Sequence, residues 1–218
     1  MKIWIVSATE FEFESARRDF SEGVVESNHH IEWIVTGVGI VPTVFELMRR
    51  IAADKPDLII NIGIAGAINS NLQLGETVWI TRDEFYQWGA EDQDGFINIF
   101  SLGFIDANQK PFSNEKIYGS SVSDYFPSNL LKQVNGLTVQ KTHGNQLSIN
   151  ELHESCTGID VESMEGSAVF YVAVMLDIPV LQIRSISNYV EPRNRSNWKV
   201  KEAISSLNYH LINILSSN

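Results

Sequence analysis

The sequence predicts an α/β domain with a largely parallel central sheet. Two observations carry this: strand-like and helix-like segments alternate along the chain, and a run such as Asp57 to Ile62 is apolar at consecutive positions, Leu58, Ile59 and Ile60, rather than at every second residue. Strands covered by helices on both faces have that pattern, because neither face meets water. With 218 residues and 44% hydrophobic content the chain can bury a sizeable core, and the even spread of apolar runs predicts one domain over residues 1–218.

Lys2 to Ser7 reads as a buried strand and Ile31 to Thr36 as a second, which ends in Thr36-Gly37-Val38-Gly39. Ile40 to Ala53 follows as a helix. Pro42 is tolerated in its first turn, and Val44, Leu47, Met48 and Ile51 share one face. The strand at Asp57 to Ile62 runs into Gly63-Ile64-Ala65-Gly66-Ala67, where small residues let backbone approach a flat ligand. Glu76 to Arg82 and Leu137 to Thr142 are further strand candidates.

The segment Asp160-Val161-Glu162-Ser163-Met164-Glu165-Gly166 opens a helix that is apolar nearly all round from Ala168 to Leu176 and is ended by Asp177 and Pro179. Val180 to Ser187 is the next strand, terminating in Asn188-Tyr189, and Trp198 to Leu215 is a closing amphipathic helix. Asp83 to Asn135 mixes Gly, Asn, Asp and Pro with scattered aromatics and reads as a long irregular segment, a candidate lid or subunit contact.

A net charge of −11 leaves no basic stripe for nucleic acid or an anionic membrane. No stretch approaches the ~20 apolar residues of a membrane span, and the N-terminus lacks a signal-peptide pattern. Cys156 is the single cysteine, so no internal disulfide forms and a cytoplasmic location is expected.

Phosphate-binding, zinc and serine-hydrolase motifs are all missing, and no cofactor is expected. Acids remain. A carboxylate at the start of a buried helix needs a solvating partner, and a sugar diol supplies one; Glu165 there also offsets the helix dipole, worth ~0.3–1 kcal/mol, so position alone leaves both roles open. Because ligands of open α/β sheets sit at the carboxyl ends of strands, Asn188 and Glu165 are expected to face one crevice, with acids, one amide, apolar walls and no obvious cation.

Ala8-Thr9-Glu10-Phe11-Glu12, Thr36-Gly37-Val38-Gly39, Asn61-Ile62-Gly63-Ile64-Ala65-Gly66, Val161-Glu162-Ser163-Met164-Glu165-Gly166 and Arg184-Ser185-Ile186-Ser187-Asn188 together resemble the purine nucleosidase/phosphorylase superfamily. They come in that family's order and span nearly the whole chain. Glu-Ser-Met-Glu-Gly and the Arg184 to Asn194 stretch resemble the futalosine hydrolases in particular, whereas the methylthioadenosine/S-adenosylhomocysteine nucleosidases carry Asp at the position of Asn188.

The resemblance implies a three-layer α/β/α nucleoside phosphorylase/nucleosidase-like fold with a mixed, mostly parallel sheet, a small-molecule nucleoside substrate and a homo-oligomer. It implies a general base at Glu12, although Glu10 and Glu14 share its alternation. It implies that Glu165 grips the ribose hydroxyls and that Met164 packs on the sugar, with Ser187, Ile64, Gly66 and Leu147 also binding substrate. Asn cannot donate a proton to a leaving base as Asp does, but its amide donates hydrogen bonds to N7 and to a 6-oxygen, so Asn188 is read as selecting hypoxanthine over adenine. Acids near Ser7-Ala8-Thr9-Glu10 would repel phosphate, which favours water as nucleophile. Arg193 or Arg195, just beyond the Asn188 strand, is the candidate partner for the benzoate of futalosine; plain surface charge is the alternative.

Overall fold

The computed structural model describes residues 1–93, 95–127 and 129–216. Its main sheet is assembled from β1 (Lys2–Ser7), β2 (His30–Val35), β3 (Leu58–Ala67), β4 (Thr77–Phe85), β8 (Lys132–Thr138), β9 (Val161–Ser163) and β10 (Val180–Tyr189), with β7 (Ile117–Tyr118) on the β4 edge. The strands β5 (Gly89–Asp92) and β6 (Gly95–Asn98) form a separate hairpin.

β3 is the hub. Its first half pairs with β1 in parallel, its last two residues pair with β9 antiparallel, and its other edge is occupied by β10 in parallel throughout. β10 then pairs with β4 antiparallel, β4 with β8 in parallel and β8 with β9 in parallel, so five strands close on themselves while β1 and β2 extend outward. The sheet is mixed, as expected.

Alternation along the strands sorts the core into two layers. Ile3, Ile5, Leu58, Ile60 and Ile62 point to one face and meet α5 (Val200–Ser216) through Leu207, Leu211 and Ile214, together with Ala16 of α1 (Glu14–Ser21). Trp4, Val6 and Ile59 point to the other and meet Leu47 of α2 (Ile40–Ile51) and Val169, Phe170 and Ala173 of α4 (Gly166–Met175). α3 (Gln146–Ser155) caps the end of β8 with Ile149 and Leu152.

Four local expectations change. The strand placed at Leu137 to Thr142 lies earlier, at Lys132–Thr138, because pairing with β4 and β9 draws in polar residues that face solvent. Gly136 fits there for a specific reason: a Cβ would stand 2.6 Å from Asp83 Oδ2 and 2.9 Å from Ile80 Cγ2. α1 and α3 are helices that the sequence reading left unassigned; α1 is amphipathic and buries Ala16, whereas α3 has a weak apolar stripe and is held by the packing of Ile149 and Leu152. Val161–Ser163 is a short strand rather than a helix mouth, and β3 continues through the small residues to Ala67. The segment from Asp83 to Asn135 is not wholly irregular, holding β5, β6, β7 and the ends of β4 and β8; positions 94 and 128 of this candidate lid, and 217 and 218 of the expected domain, lie outside the described residues.

Candidate active site

Glu12 sits in a single 3-10 turn, Glu10–Glu12, directly after β1. Its Oε2 accepts from the Thr9 backbone N–H at 2.9 Å and from Thr9 Oγ1 at 3.2 Å, and Oε1 accepts from the Ile64 N–H at 3.4 Å. Its backbone is tied from the far end of the chain, where the buried Asn208 of α5 donates Nδ2 to Glu12 O at 2.9 Å and accepts from Ala16 N at 2.8 Å. Glu12 is 8% exposed, while Glu10 pairs with Arg17 at the surface and Glu14 is exposed. The fold therefore separates three acids that the sequence left equivalent.

Burial pushes the Glu12 carboxyl above its ordinary value. The Thr9 hydrogen bond and the charge of Arg184 oppose that rise, and the charge of Glu165 adds to it. Arg184, 1% exposed on β10, is the cation that the sequence reading overlooked. Nη2 donates to Asn61 Oδ1 at 2.6 Å, and the charges of Glu165, Glu12 and Asp83 counter the burial that lowers its pKa. An Arg between apolar residues of a strand is the signal that could have marked it.

Glu165 is the residue before α4, and its Oε1 accepts from the Gly39 N–H at 2.8 Å. The Thr36-Gly37-Val38-Gly39 turn thus presents a backbone donor to the acid, with Gly39 at φ 93°, a conformation glycine adopts without strain. The start of α4 is anchored underneath by Asp83, which accepts from Thr138 Oγ1 at 2.8 Å, Ser167 Oγ at 2.7 Å and Gln182 Nε2 at 3.0 Å.

The pairing of β10 with β3 slips between Ile186 and Asn188, and such a bulge re-aims the side chains that follow it. Asn188 Nδ2 donates to Tyr189 O at 2.9 Å, and Oδ1 accepts from Ser187 Oγ at 2.8 Å. Exchanging the amide O and N would set Oδ1 against a carbonyl oxygen, so these partners fix which end is the donor. Nδ2 has a second hydrogen to give.

These groups line one cavity of about 290 Å³. Glu12, Ile64, Gly66, Met164, Glu165, Ser187 and Asn188 all contribute to its wall. So do His143 and Glu162, a buried hydrogen-bonded pair, and the apolar Phe11, Val38, Trp198, Val200 and Ile204. Two expected positions fall outside. Leu147 is 77% exposed on α3, because the helix turns Ile149 and Leu152 inward instead. Arg193 is exposed and stacks its guanidinium 5.0 Å above the ring of Trp198, so Trp198 and not the charge faces the cavity; Arg195 is likewise exposed and does not line it.

A family model for the phosphorylase superfamily matches residues 5–215. The chain belongs to this superfamily. Among curated relatives, futalosine hydrolase of Streptomyces coelicolor is 30% identical over 151 residues, 69% of this chain but 62% of the relative's length. The 5'-methylthioadenosine/S-adenosylhomocysteine nucleosidase of Buchnera aphidicola is 26% identical over 191 residues, 84% of this chain and 77% of that one. The fold matches that of a Neisseria meningitidis nucleosidase of the same name, bound to methylthio-immucillin-A, with a TM-score of 0.80 at 15% identity over 100% of this chain and 99% of that one.

Proposed function

We propose that this phosphorylase-superfamily protein hydrolyses the N-glycosidic bond of futalosine, releasing hypoxanthine and dehypoxanthine futalosine in menaquinone biosynthesis. The observation that carries this reading is the Asn188 amide, fixed as a donor in the same cavity as the two acids Glu12 and Glu165.

In this reading water sits beside Glu12, which takes one of its protons as the water oxygen bonds to the anomeric carbon. The bond from that carbon to the purine nitrogen breaks, and its electron pair leaves with the base. Asn188 donates to N7 or the 6-oxygen and so stabilises the departing negative charge, while the base collects its proton from solvent. A raised Glu12 pKa makes a stronger base, a contribution of ~10²–10⁴-fold for positioned proton transfer. Glu165 holds the ribose hydroxyls by charge-assisted bonds that strengthen as the sugar gains oxocarbenium character.

Methylthioadenosine or S-adenosylhomocysteine is the second reading, favoured by the longer match to the Buchnera relative and disfavoured by an amide at position 188. Purified protein incubated with futalosine, inosine and methylthioadenosine, with and without phosphate, separates them. Hypoxanthine from futalosine at a rate indifferent to phosphate is expected; faster release of adenine from methylthioadenosine would overturn the assignment.

The reading also takes the protein to be a cytoplasmic homo-oligomer. Phe11 and Val38, each 56% exposed at the cavity wall, continue into exposed Val41 and Phe45 on α2, an apolar face that supports subunit contact. Light scattering that returned a monomer mass would remove this part.

A further inference from the structure

The cavity wall contains a second pair of ionisable side chains that the hydrolysis above does not use. The His143 and Glu162 side chains are 2% and 3% exposed. One carboxylate accepts twice from one residue: Oε1 from the His143 backbone N–H at 3.0 Å, and Oε2 from the ring Nδ1 at 2.6 Å. The ring is also held edge-on by Tyr86, 4.9 Å between centroids.

An ionised carboxylate can only accept, so Nδ1 carries a proton, and an imidazole whose one proton sits there presents Nε2 as an acceptor. Nε2 has no hydrogen-bond partner among the described residues, yet it is not one of the sealed, unpaired polar atoms of the interior. Because His143 lines the cavity, that lone pair is offered to whatever the cavity holds. Gly66 locates the pair at the Asn188 end: a Cβ there would lie 3.2 Å from Asn188 Nδ2 and 3.4 Å from Glu162 Cγ.

Resting on the nucleoside reading above, we propose that His143, oriented by Glu162, reads the edge of a 6-oxopurine: Nε2 accepts its N1–H while Asn188 donates to its 6-oxygen. A 6-aminopurine mismatches both contacts, since its N1 brings a second lone pair to Nε2 and its amino group brings hydrogens to the amide donor. Discrimination against adenine then comes from two unpaired polar contacts. Glu162 is a positioning residue that acts through the tautomer of His143.

Glu162→Gln tests this with a readout that loosened packing does not move. The His143 backbone N–H is always a donor and claims the Gln carbonyl, which leaves the Gln amide hydrogens facing Nδ1. Nδ1 must then accept, the proton moves to Nε2, and the cavity-facing acceptor becomes a donor. Calorimetric titration with free hypoxanthine and free adenine is expected to show the hypoxanthine-to-adenine affinity ratio falling by about tenfold or more, with adenine binding improved in absolute terms. His143→Asn, which can still donate to Glu162 but offers nothing at Nε2, is expected to lower the ratio by weakening hypoxanthine alone. A ratio within about twofold of wild type in either folded variant, or equal loss of both bases, would overturn the proposal. Free bases need no sugar and no turnover. Wild-type protein that prefers hypoxanthine yet cleaves no futalosine would therefore end the substrate reading and leave this one standing.

Discussion

Gly63→Ala isolates the position of one carboxylate. Gly63 does not have a left-handed backbone, so alanine is tolerated by the strand itself, but its Cβ would stand 2.9 Å from Glu12 Oε1 and 3.7 Å from Arg184 Cζ. Ordinary contact begins near 3.4 Å, so Glu12 must retreat by about 0.5 Å. The carboxylate is the free end of a side chain and can do so, at the expense of its 3.4 Å bond from Ile64 N. A 1 Å misplacement near reacting atoms costs ~10²-fold, so half of that predicts roughly a tenfold loss in kcat. Stability should hold or rise, because replacing a compatible glycine stabilises by ~0.4–1 kcal/mol through the unfolded chain. Initial-rate kinetics on the nucleoside and a thermal melt decide the matter. A kcat within about twofold of wild type would refute the assignment of Glu12 as the base or of Gly63 as its spacer, and a Tm loss above about 5 °C would refute the claim that only the side chain yields.

Glu12→Gln should reduce kcat by ~10²-fold or more while leaving substrate binding intact. Its folded carboxyl titrates above its unfolded value, so wild type binds the extra proton in the native state and loses stability as pH rises through that interval; the variant's Tm advantage should grow over the same interval, and a constant difference across pH would contradict the raised pKa. Arg184→Met removes a charge that lowers Glu12, so the acidic limb of the kcat/KM profile should move to higher pH; an unmoved limb would exclude that coupling. Asp83→Ala strips the shared acceptor from Thr138, Ser167 and Gln182, at a cost of about 3 kcal/mol and roughly 6 to 12 °C in Tm, and a fall under about 2 °C in calorimetry would show those donors finding other partners. Asn188→Asp should shift the kcat/KM ratio toward 6-amino nucleosides, and an unchanged ratio would remove Asn188 from base selection.

Much of the sheet was legible because β1 and β3 are buried on both faces, so apolar residues follow one another along them with few interruptions. α4 was legible for the same reason, whereas α3 exposes most of its residues and owes its helicity to what it rests on. β8 was misplaced because its first two residues, Lys132 and Gln133, face solvent and its identity is set by its neighbours' hydrogen bonds.

The site divides along a similar line. Glu165 and Asn188 were legible from their places at a helix start and a strand end and Glu12 from motif resemblance, and the structure brings all three to one cavity. The sequence could not separate Glu12 from Glu10 and Glu14, because that depends on Asn208, nearly two hundred residues away, holding the turn. Nor could it find the pairing of Arg184 with Asn61 or the tie between His143 and Glu162, since neither has a fixed spacing.

Sequence alone determined the layer architecture and the kinds of chemical group available, because hydrophobic periodicity and residue identity are local properties of the chain. Which acid is buried, which end of the Asn188 amide donates, and that Leu147 and Arg193 stay outside were decided only by tertiary structure. Desolvation and hydrogen-bond partnership come from segments distant in sequence, and they exist only once those segments are packed.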